Sequence, residues 1–513
     1  MSTPLDQFLI SAEADIRTAL AVIDRNAHGV AFAVDSQGHL RGILTDGDIR
    51  RALLRGVGLD ALVKSVMRVD CVTLPHDATP EAILTSLGDR IEIITQRDEN
   101  GRLVERAAQA GIEVIPLLDT EGRPVDYASH YRHHRLPVME PEVSGNELNY
   151  IMECIKTNWL SSQGPFVRRF EQEFGHYVGS PHAVAVCNGA AALHLALIAL
   201  GVGPGDEVIV PDLTFAASVN AVLHAGATPV LVDVTRDTWT LDPKGVARAI
   251  TSQTKAIMPV HLYGQPCEME ALMALARNHG LLVIEDAAEA LGAQYHGRHV
   301  GGFGDAAAFS FYGNKLITTG EGGMVTFKDE NAAARARVLR NHGMDPDRRY
   351  WHEEAGYNYR LTNLQAAVGV AQLERIESFI TRKIELASRY SRALSVRDEL
   401  VLPIVWPDTR NVFWLYSLIV DPERTGLTRD DLMERLLLRG IETRPLFYPL
   451  HFMPPYRRFA RQGSYPNAEW LSANGLSLPS AVTLKDEELD HVTAAISQIL
   501  DVRLLRGLVK GLS

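Results

Sequence analysis

Cysteine is scarce in this 513-residue sequence, and the few cysteines form no CxxC pair. They are Cys71, Cys154, Cys187 and Cys267. Such spacing indicates neither a metal site nor a disulfide framework, and it suits a reducing compartment. Long apolar runs are also missing, since runs such as residues 190–200 stop well short of the roughly 20 residues that span a membrane. We therefore expect a cytoplasmic protein without a metal ion or a membrane partner.

Positive charge is in deficit, because 51 Lys and Arg face 63 Asp and Glu, for a formal net charge of -12 at pH 7. That balance argues against a nucleic-acid partner, while a local basic pocket for a nucleotide diphosphate stays compatible with it. The opening residues MSTPLDQFLISAEAD have no basic stretch before an apolar one, so we expect no signal peptide there. The length exceeds one ordinary core and predicts two or three domains.

The first 130 residues contain an internal repeat. Ile16, Leu20 and Ile23 recur at helical spacing, and the predicted strands Val30–Val34 and Leu40–Thr45 flank the turn DSQG. A weaker copy contains the helix PEAILTSL, the strand GIEVIPLLD and the turn TEG, with extra residues around TQRDENGRLVERAAQ. Aligning the turns DSQG and DTEG puts the halves in register and indicates two βαβ-like units.

The motif GILTDGDIRRAL in the first half resembles the CBS-domain family, whose tandem pairs bind adenine nucleotides between their halves. Thr45 and Asp48 match the ribose-binding T-x-x-D of that family, and a carboxylate is a suitable acceptor for two ribose hydroxyls. Ser129 and Arg132 stand at the equivalent positions of the second half, so one site at most is implied. A packing and dimerisation module, with Asp46 or Asp48 as a helix cap, is an equal alternative.

Composition and pattern divide the chain further. Residues 131–145, rich in His, Arg and Pro, predict a linker after the CBS pair of residues 1–130. From 146 to 385, short β-branched runs alternate with helical stretches, which predicts an α/β domain with a large, mostly parallel sheet. Residues 386–513 predict a smaller α+β domain.

Two ionisable residues follow predicted strands of the α/β domain. Lys315 lies in the apolar, glycine-rich stretch FSFYGNKLITTGEGGMV, and a Schiff-base lysine needs such partial desolvation to free its amine. Taken alone, a structural or phosphate-binding lysine is the more frequent explanation. Asp286 ends the strand of LLVIEDAAEALGA, where an acid usually caps a helix but also suits the ring nitrogen of pyridoxal phosphate (PLP). Both residues would emerge at one end of a parallel sheet, where ligands bind.

Two weaker signals accompany this pair. The stretch CNGAAALHLALIAL predicts a strand, a glycine turn and a helix start, whose exposed amides bind phosphate. In PDLTF, Phe215 stands at another strand end, where it supplies either a stacking face for a ring or, by default, a core side chain.

The order of several motifs from about Leu136 onward resembles the DegT/DnrJ/EryC1/StrS aminotransferases. The motifs are NWLSSQGPFVRRFEQEF, GDEVIVPDLTFAAS, PVHLYGQP, IEDAAEALGA, FSFYGNKLITTGEGGM and GYNYRLTNLQAA. The resemblance implies a fold-type I PLP-dependent large domain and a small α+β domain. Lys315 matches the lysine that bonds to PLP, Asp286 the partner of the pyridine nitrogen, and Phe215 the stacked aromatic. The phosphate contacts are matched by Gly189, Ala190 and Ser310.

The resemblance also implies a homodimer or a higher homo-oligomer, because Asn358 and Arg360 match residues that reach the cofactor of the neighbouring subunit. Two positions depart from many relatives. Ala190 replaces a Thr, so that backbone amides must suffice there for phosphate. Glu289 replaces Gln or His beside the phenolic oxygen of PLP, and we expect its carboxyl group to be protonated or turned toward a cation.

Within the family, this Glu and the stretch RRYWHEEAGYNYRLTN are most similar to GDP-perosamine synthases. That resemblance implies ping-pong transfer of an amino group from L-glutamate to C4 of GDP-4-keto-6-deoxymannose, with Lys315 moving the proton. The product, GDP-perosamine, would serve surface polysaccharide synthesis. Three alternatives stay open: a UDP-4-keto-6-deoxy-N-acetylhexosamine acceptor, a PLP-type sugar 3-dehydratase, and a non-catalytic adenylate-sensing scaffold. Lys315 disfavours the dehydratase, since such enzymes have His there.

Overall fold

The computed structural model divides the chain into two compact units, residues 1–136 with 437–440, and residues 137–436 with 441–513. The residues that it describes are 4–26, 28–78, 80–87, 91–97, 103–109, 114–129, 136–437, 439–461 and 463–510. Arg132 and the first part of the predicted linker, 131–135, lie outside them. No helix among these described residues combines the length and the apolar character needed to cross a membrane.

Short strands and helices build the first unit. Its strands are β1 (Leu9–Ser11), β2 (Val30–Val34), β3 (Leu40–Thr45), β4 (Leu74–Pro75), β5 (Ile91–Arg97), β6 (Leu103–Gln109), β7 (Val114–Leu118) and β8 (Pro124–Ser129). Its helices are α1 (Ile16–Asn26), α2 (Asp46–Leu54) and α3 (Pro80–Leu87). β1, β2 and β3 form one sheet, β4, β7 and β8 form a second, and β5 pairs with β6.

The internal repeat predicted from the turns is present in this unit. In each half a helix lies between two parallel strands, and an antiparallel strand follows across a turn. The first residues of the two turns, Asp35 and Asp119, each accept two backbone N–H groups on one carboxylate oxygen and an arginine Nε on the other. The antiparallel pair of β5 and β6 is inserted in the second half, which accounts for its extra residues.

Alternating strands and helices build the second unit. Its strands are β9 (His182–Val186), β10 (Glu207–Pro211), β11 (Thr228–Val232), β12 (Thr254–Ile257), β13 (Leu282–Asp286), β14 (Gln294–Tyr295), β15 (Arg298–His299), β16 (Ala306–Ser310), β17 (Gly323–Phe327), β18 (Leu400–Val401), β19 (Thr409–Arg410), β20 (Tyr416–Val420), β21 (Arg444–Pro445) and β22 (Gly475–Leu478). Its helices are α4 (Glu147–Thr157), α5 (Pro165–Val178), α6 (Gly189–Ala199), α7 (Ala217–His224), α8 (Pro243–Ala249), α9 (Met269–His279), α10 (Glu330–Arg340), α11 (Asn363–Leu373), α12 (Ile376–Leu394), α13 (Pro422–Thr425), α14 (Arg429–Leu437), α15 (Pro466–Asn474) and α16 (Asp486–Lys510).

A seven-stranded sheet in the order β11-β10-β12-β13-β16-β17-β9 is the centre of this unit. The first five strands are parallel, and β17 runs antiparallel to both of its neighbours. The predicted large, mostly parallel sheet is therefore confirmed. A second sheet has the order β18-β20-β22-β21 and is antiparallel. The predicted boundary at residue 385 falls inside α12, and the division into a large and a small domain there stays a prediction.

The helix α6 is buried on almost every side. Its sequence, GAAALHLALIA, is apolar all round, and it lies between the central sheet and the helices α7 and α10. A helix without a polar face is stable only inside a core. Asn188 precedes it as N-cap, and its side-chain oxygen accepts the N–H of Ala191 at 2.8 Å. The start of α6 is thus held rigidly against the sheet.

A lysine is buried in the same unit. Lys383 of α12 is 2% exposed, and its ammonium group donates hydrogen bonds to the carbonyl oxygens of Trp414, at 2.7 Å, and of Ser480. Burial lowers the pKa of Lys383 to about 7. The charged form therefore costs stability in the folded state, although the two carbonyl groups accept two of its three N–H donors.

This burial predicts a pH dependence that Lys383→Met removes. Between pH 7 and 10.5 the unfolded chain holds the proton that folded Lys383 has released, so the wild type gains stability as the pH rises. The stability of Lys383→Met relative to wild type should therefore fall by about 2 kcal/mol between pH 7 and pH 9. Urea unfolding of both proteins across that range measures it. The exposed Lys328→Met is the control, and equal pH dependence in all three proteins would contradict the prediction.

Candidate active site

A cavity of about 470 Å³ lies at the edge of the central sheet where the carboxyl ends of β9, β10, β13 and β16 meet. Ligands of α/β proteins bind at this edge because the loops that follow the strands converge there. The predicted site residues that line it are Gly189, Ala190, Phe215, Asp286, Glu289, Ser310 and Lys315. Sequence reasoning missed other residues of its lining: Tyr263, Trp414, Arg444 and Phe447.

Asp286, the last residue of β13, has both carboxylate oxygens occupied. Oδ2 accepts the hydroxyl of Ser218 at 2.7 Å, and Oδ1 accepts the N–H of Ala288 at 3.2 Å. Burial raises the pKa of Asp286, and the bonds from Ser218 and Ala288 oppose that rise. The described residues 287–293 form turns rather than a helix, so Asp286 does not cap a helix as its position in the sequence allowed. Ser218 escaped prediction because it belongs to α7, far away in the sequence.

Lys315 lies in the turn after β16, and its side chain is 14% exposed. Its Nζ lies 3.6 Å from Oε1 of Glu289 and 3.8 Å from the ring centroid of Trp414. Burial lowers the pKa of Lys315, while the negative charges of Glu289 and Asp286 raise it. A lysine in this setting releases its proton more readily than a lysine in water, as a nucleophilic or basic amine requires.

Glu289 is turned toward a cation, which is one of the two states expected for it. Besides the contact of Oε1 with Lys315, its Oε2 accepts the N–H of Tyr263 at 2.9 Å. Burial raises the pKa of Glu289, and Lys315 opposes that rise. The Glu289 carboxylate is itself buried and thus has two partners.

The start of α6 and the end of β16 form a small concave surface. A Cβ added to Gly189 would lie 2.8 Å from Cβ of Ser310, so glycine is the residue that keeps this space open. Ala190 and Asn188 line the cavity at the same place. The helix start offers free N–H groups and the positive end of its dipole, which together favour an anion such as phosphate.

Phe215 is not a core residue, because it is 60% exposed at the cavity. Its ring centroid lies 5.8 Å from that of Phe447, which stacks in turn on Tyr263 at 5.4 Å. Tyr263 also stacks on Trp414, at 6.1 Å. These four rings form one aromatic wall of the cavity, and Phe215 is the one of the four that the sequence analysis predicted as a site residue.

The donor set fits PLP. An anion site at the start of α6 suits the phosphate, the buried Asp286 suits the ring nitrogen, and Lys315 suits the aldehyde. The exposed face of Phe215 suits stacking on the ring.

Asn358 and Arg360 are not among the residues that line this cavity. The guanidinium group of Arg360 contacts Oδ1 of Asn358 at 3.0 Å, Oδ1 of Asn341 at 3.1 Å and Nε2 of His342 at 3.2 Å. Arg360 is therefore held in a fixed orientation within its own chain, as a group that acts on another molecule needs to be.

A second cavity, of about 400 Å³, lies in the first unit beside Thr45. It is lined by His28, Gly29, Val30, Ile43, Thr45, Asp46, Gly47, Arg68, Asp70, Cys71, Val72 and Val114. Thr45 is the N-cap of α2, which corrects the prediction of an N-cap at Asp46 or Asp48, although Asp48 completes a capping box by accepting the Thr45 N–H. Asp48 is not in the lining, and its carboxylate accepts the Thr45 hydroxyl at 2.7 Å and Arg51 Nη2 at 2.6 Å. Ser129 is buried at the end of β8.

Protein families match parts of both units. The DegT/DnrJ/EryC1/StrS aminotransferase family model matches residues 141–497, and the CBS domain model matches residues 1–55. The GDP-perosamine synthase of Caulobacter vibrioides is 49% identical over 367 residues, which are 71% of this chain and 98% of that protein. The GDP-perosamine synthase of Escherichia coli O157:H7 is 44% identical over 363 residues, again 71% and 98%.

Solved structures resemble the second unit. DesV of S. venezuelae is 40% identical with a TM-score of 0.67, covering 72% of this chain and 99% of its own. The PLP form of Spr1654 from Streptococcus pneumoniae is 28% identical with a TM-score of 0.67, covering 72% of this chain and 99% of its own. The chain carries a CBS domain at its N-terminus. From residue 141 onward it belongs to the DegT/DnrJ/EryC1/StrS aminotransferase family.

Proposed function

We propose that this protein is a cytoplasmic, PLP-dependent aminotransferase that moves an amino group from L-glutamate to C4 of GDP-4-keto-6-deoxymannose. The product is GDP-perosamine, a precursor of surface polysaccharide. One observation carries the chemistry: Lys315 and Asp286 line a single cavity together with the anion-binding start of α6. The acceptor follows from the two GDP-perosamine synthases that are 49% and 44% identical to this chain.

PLP supplies an electron-accepting ring that stabilises negative charge on the carbon next to the transferred nitrogen. The start of α6, with Gly189, Ala190 and Ser310, would hold its phosphate, and Phe215 would cover its ring. Asp286 would keep a proton on the ring nitrogen, and Ser218 holds the Asp286 carboxylate in place for that task. Lys315 would be the residue that anchors the cofactor covalently.

Proton transfer is the work of the Lys315 amine. Because burial lowers the pKa of Lys315, its neutral form is more accessible than that of a lysine in water. Nζ takes a proton from the carbon of the amino donor and returns one at C4 of the acceptor. The aromatic wall of Phe215, Phe447, Tyr263 and Trp414 keeps water away from these steps.

The proposed site is shared between two subunits of a homodimer. Arg360 and Asn358 lie outside the cavity of their own chain and are held by Asn341 and His342. We assign them to the cofactor of the neighbouring subunit, as the family resemblance implies.

The cavity beside Thr45 is the proposed site for an adenine nucleotide. Thr45 and Asp46 line it, and Arg68 offers a cation for phosphate. Asp48 reaches a ribose only by exchanging its present bonds to Thr45 and Arg51. One such site per chain is proposed, because the second half lacks the T-x-x-D pair.

One prediction of the proposed function concerns Lys315. Borohydride reduction should fix PLP to this lysine, and L-glutamate should bleach the visible absorbance of the bound cofactor. Lys315→Ala should lower turnover of GDP-4-keto-6-deoxymannose by about 10³-fold or more, because both the covalent anchor and the base are lost. The exposed Lys255→Ala serves as control. Labelling of another lysine, or full activity of Lys315→Ala, would refute the assignment.

The shared site predicts complementation between two inactive variants. In a heterodimer of Lys315→Ala and Arg360→Ala subunits, one site combines an intact Lys315 with an intact Arg360, and the other site lacks both. Verified heterodimers should therefore recover about half of the wild-type activity per dimer, whereas each homodimer stays inactive. Heterodimers as inactive as their parents would instead show that Arg360 acts within its own chain.

Calorimetry with AMP, ADP and ATP tests the nucleotide site. We expect one equivalent per chain, and at least tenfold weaker binding to Asp48→Asn, since a carboxylate is a stronger acceptor for ribose hydroxyls than an amide. Asn preserves helix capping better than Ala does. The exposed Asp60→Asn, in the same unit, is the matched control. Absence of heat with all three nucleotides, or equal heat with Asp48→Asn, would end the proposal.

A further inference from the structure

The free amine of Lys315 rests between two side chains rather than in open space. Oε1 of Glu289 lies 3.6 Å from Nζ, and the ring centroid of Trp414 lies 3.8 Å from it. A carboxylate attracts an ammonium group by its charge, and an indole face attracts it through the ring quadrupole. Both attractions are strong here because water is largely excluded.

The orientation of Glu289 is fixed from its other side. Its Oε2 accepts the N–H of Tyr263, whose φ of 52° lies in the left-handed region that a tyrosine rarely adopts. The Tyr263 ring is stacked between Trp414 and Phe447, and its hydroxyl accepts the N–H of Phe447 at 3.1 Å. Such a backbone conformation persists only where the surroundings enforce it. The N–H of Tyr263 is thus aimed at Glu289 by the fold.

Trp414 is fixed at both of its polar ends. Its indole N–H donates to the carbonyl oxygen of Asn314, next to Lys315, at 2.7 Å. Its own carbonyl oxygen accepts the buried ammonium group of Lys383 at 2.7 Å. The ring therefore stays over the position of the Lys315 amine without support from a ligand.

We propose that Glu289 and Trp414 form a holding site for the Lys315 ammonium group, used whenever this amine is not bonded to the cofactor, and that the charge of Glu289 sets the basicity of the free lysine. The inference rests on the proposed function, since an aminotransferase releases its lysine in every cycle. Glu289 is a positioning residue here, because it acts on the substrate through Lys315.

The other charged groups around the amine are accounted for. Asp286 raises the pKa of Lys315 less than Glu289 does, and its own partners are Ser218 and Ala288, with His261 behind it. Glu321 and Arg444 line the cavity, but neither makes an ion pair with Lys315 among the described residues. Glu289 is therefore the carboxylate whose removal changes the amine most.

The test uses the complete enzyme after L-glutamate has converted its cofactor to the pyridoxamine form, in which Lys315 is free. Acetic anhydride labels neutral amines only, so peptide mass spectrometry across a pH series gives the midpoint for Lys315. Glu289→Gln removes the charge while keeping the shape of the side chain, so folding is expected. The midpoint should move to lower pH by about one unit, and labelling below the midpoint should rise about tenfold.

Three further variants sharpen the result. Trp414→Leu should move the midpoint in the same direction by less, because it removes the weaker attraction. Glu289→Asp retains the charge, so its labelling midpoint should lie between those of the wild type and Glu289→Gln. Glu321→Gln removes a carboxylate from the same cavity and should leave the midpoint where it is. The acid limb of the pH profile for the L-glutamate half-reaction should follow the labelling midpoints.

The outcomes separate this inference from the proposed function. If L-glutamate does not bleach the wild-type cofactor, the aminotransferase assignment itself fails. If bleaching occurs but the Glu289→Gln midpoint equals that of the wild type, or moves to higher pH, the holding site is refuted. An equal shift in Glu321→Gln would also refute it, because the effect would then belong to the cavity as a whole.

Discussion

Charge compensation among Asp286, Glu289 and Lys315 is the constraint on which the rest of the site depends. An isolated buried charge is costly, and these groups are 5%, 8% and 14% exposed. Asp286 accepts a hydrogen bond from Ser218, and Glu289 accepts one from the N–H of Tyr263. Both carboxylates also interact electrostatically with Lys315, the one cation among the three residues. The three residues are thus stable as a set, and removing Lys315 leaves both carboxylates without their shared cation.

A second buried pair holds the strands that carry this trio. Glu285 is fully buried, and its carboxylate accepts the N–H groups of Gly301, Phe303 and Gly304 while contacting Nε2 of His261 at 3.1 Å. The backbone N–H of His261 also donates to the backbone carbonyl oxygen of Asp286 at 3.0 Å. The ends of β12 and β13 are therefore tied together directly beneath the cavity. The adjacent acids Glu285 and Asp286 of β13 thus have different roles, because Glu285 stabilises the scaffold and Asp286 lines the cavity.

Sequence was sufficient for site residues that lie at or shortly after a strand end and whose residue type itself indicates a role. Lys315, Asp286 and Gly189 were found this way, and so was the parallel sheet, because hydrophobic periodicity is a local signal. Trp414 and Ser218 were missed, because their contacts join segments far apart in the chain. Tyr263 was missed because a positive φ in tyrosine leaves no trace in composition. In TDGD (residues 45–48), every residue type is common at a helix N-cap, so the sequence did not determine which one occupies that position. In the structure it is Thr45.

The balance of charge in the cavity gives the proposed dimer a physical reason. Among the described residues that line it, the carboxylates are Asp286, Glu289 and Glu321, and the cations are Lys315 and Arg444. A bound phosphate adds further negative charge, and the covalent bond to the cofactor engages Lys315. An additional cation is then needed near the start of α6, because the helix dipole alone supplies only about half a unit charge. Arg360 is oriented by Asn358, Asn341 and His342, and none of these three partners is a carboxylate that would cancel its charge. A guanidinium group held in this way is suited to supply the missing charge to the neighbouring subunit.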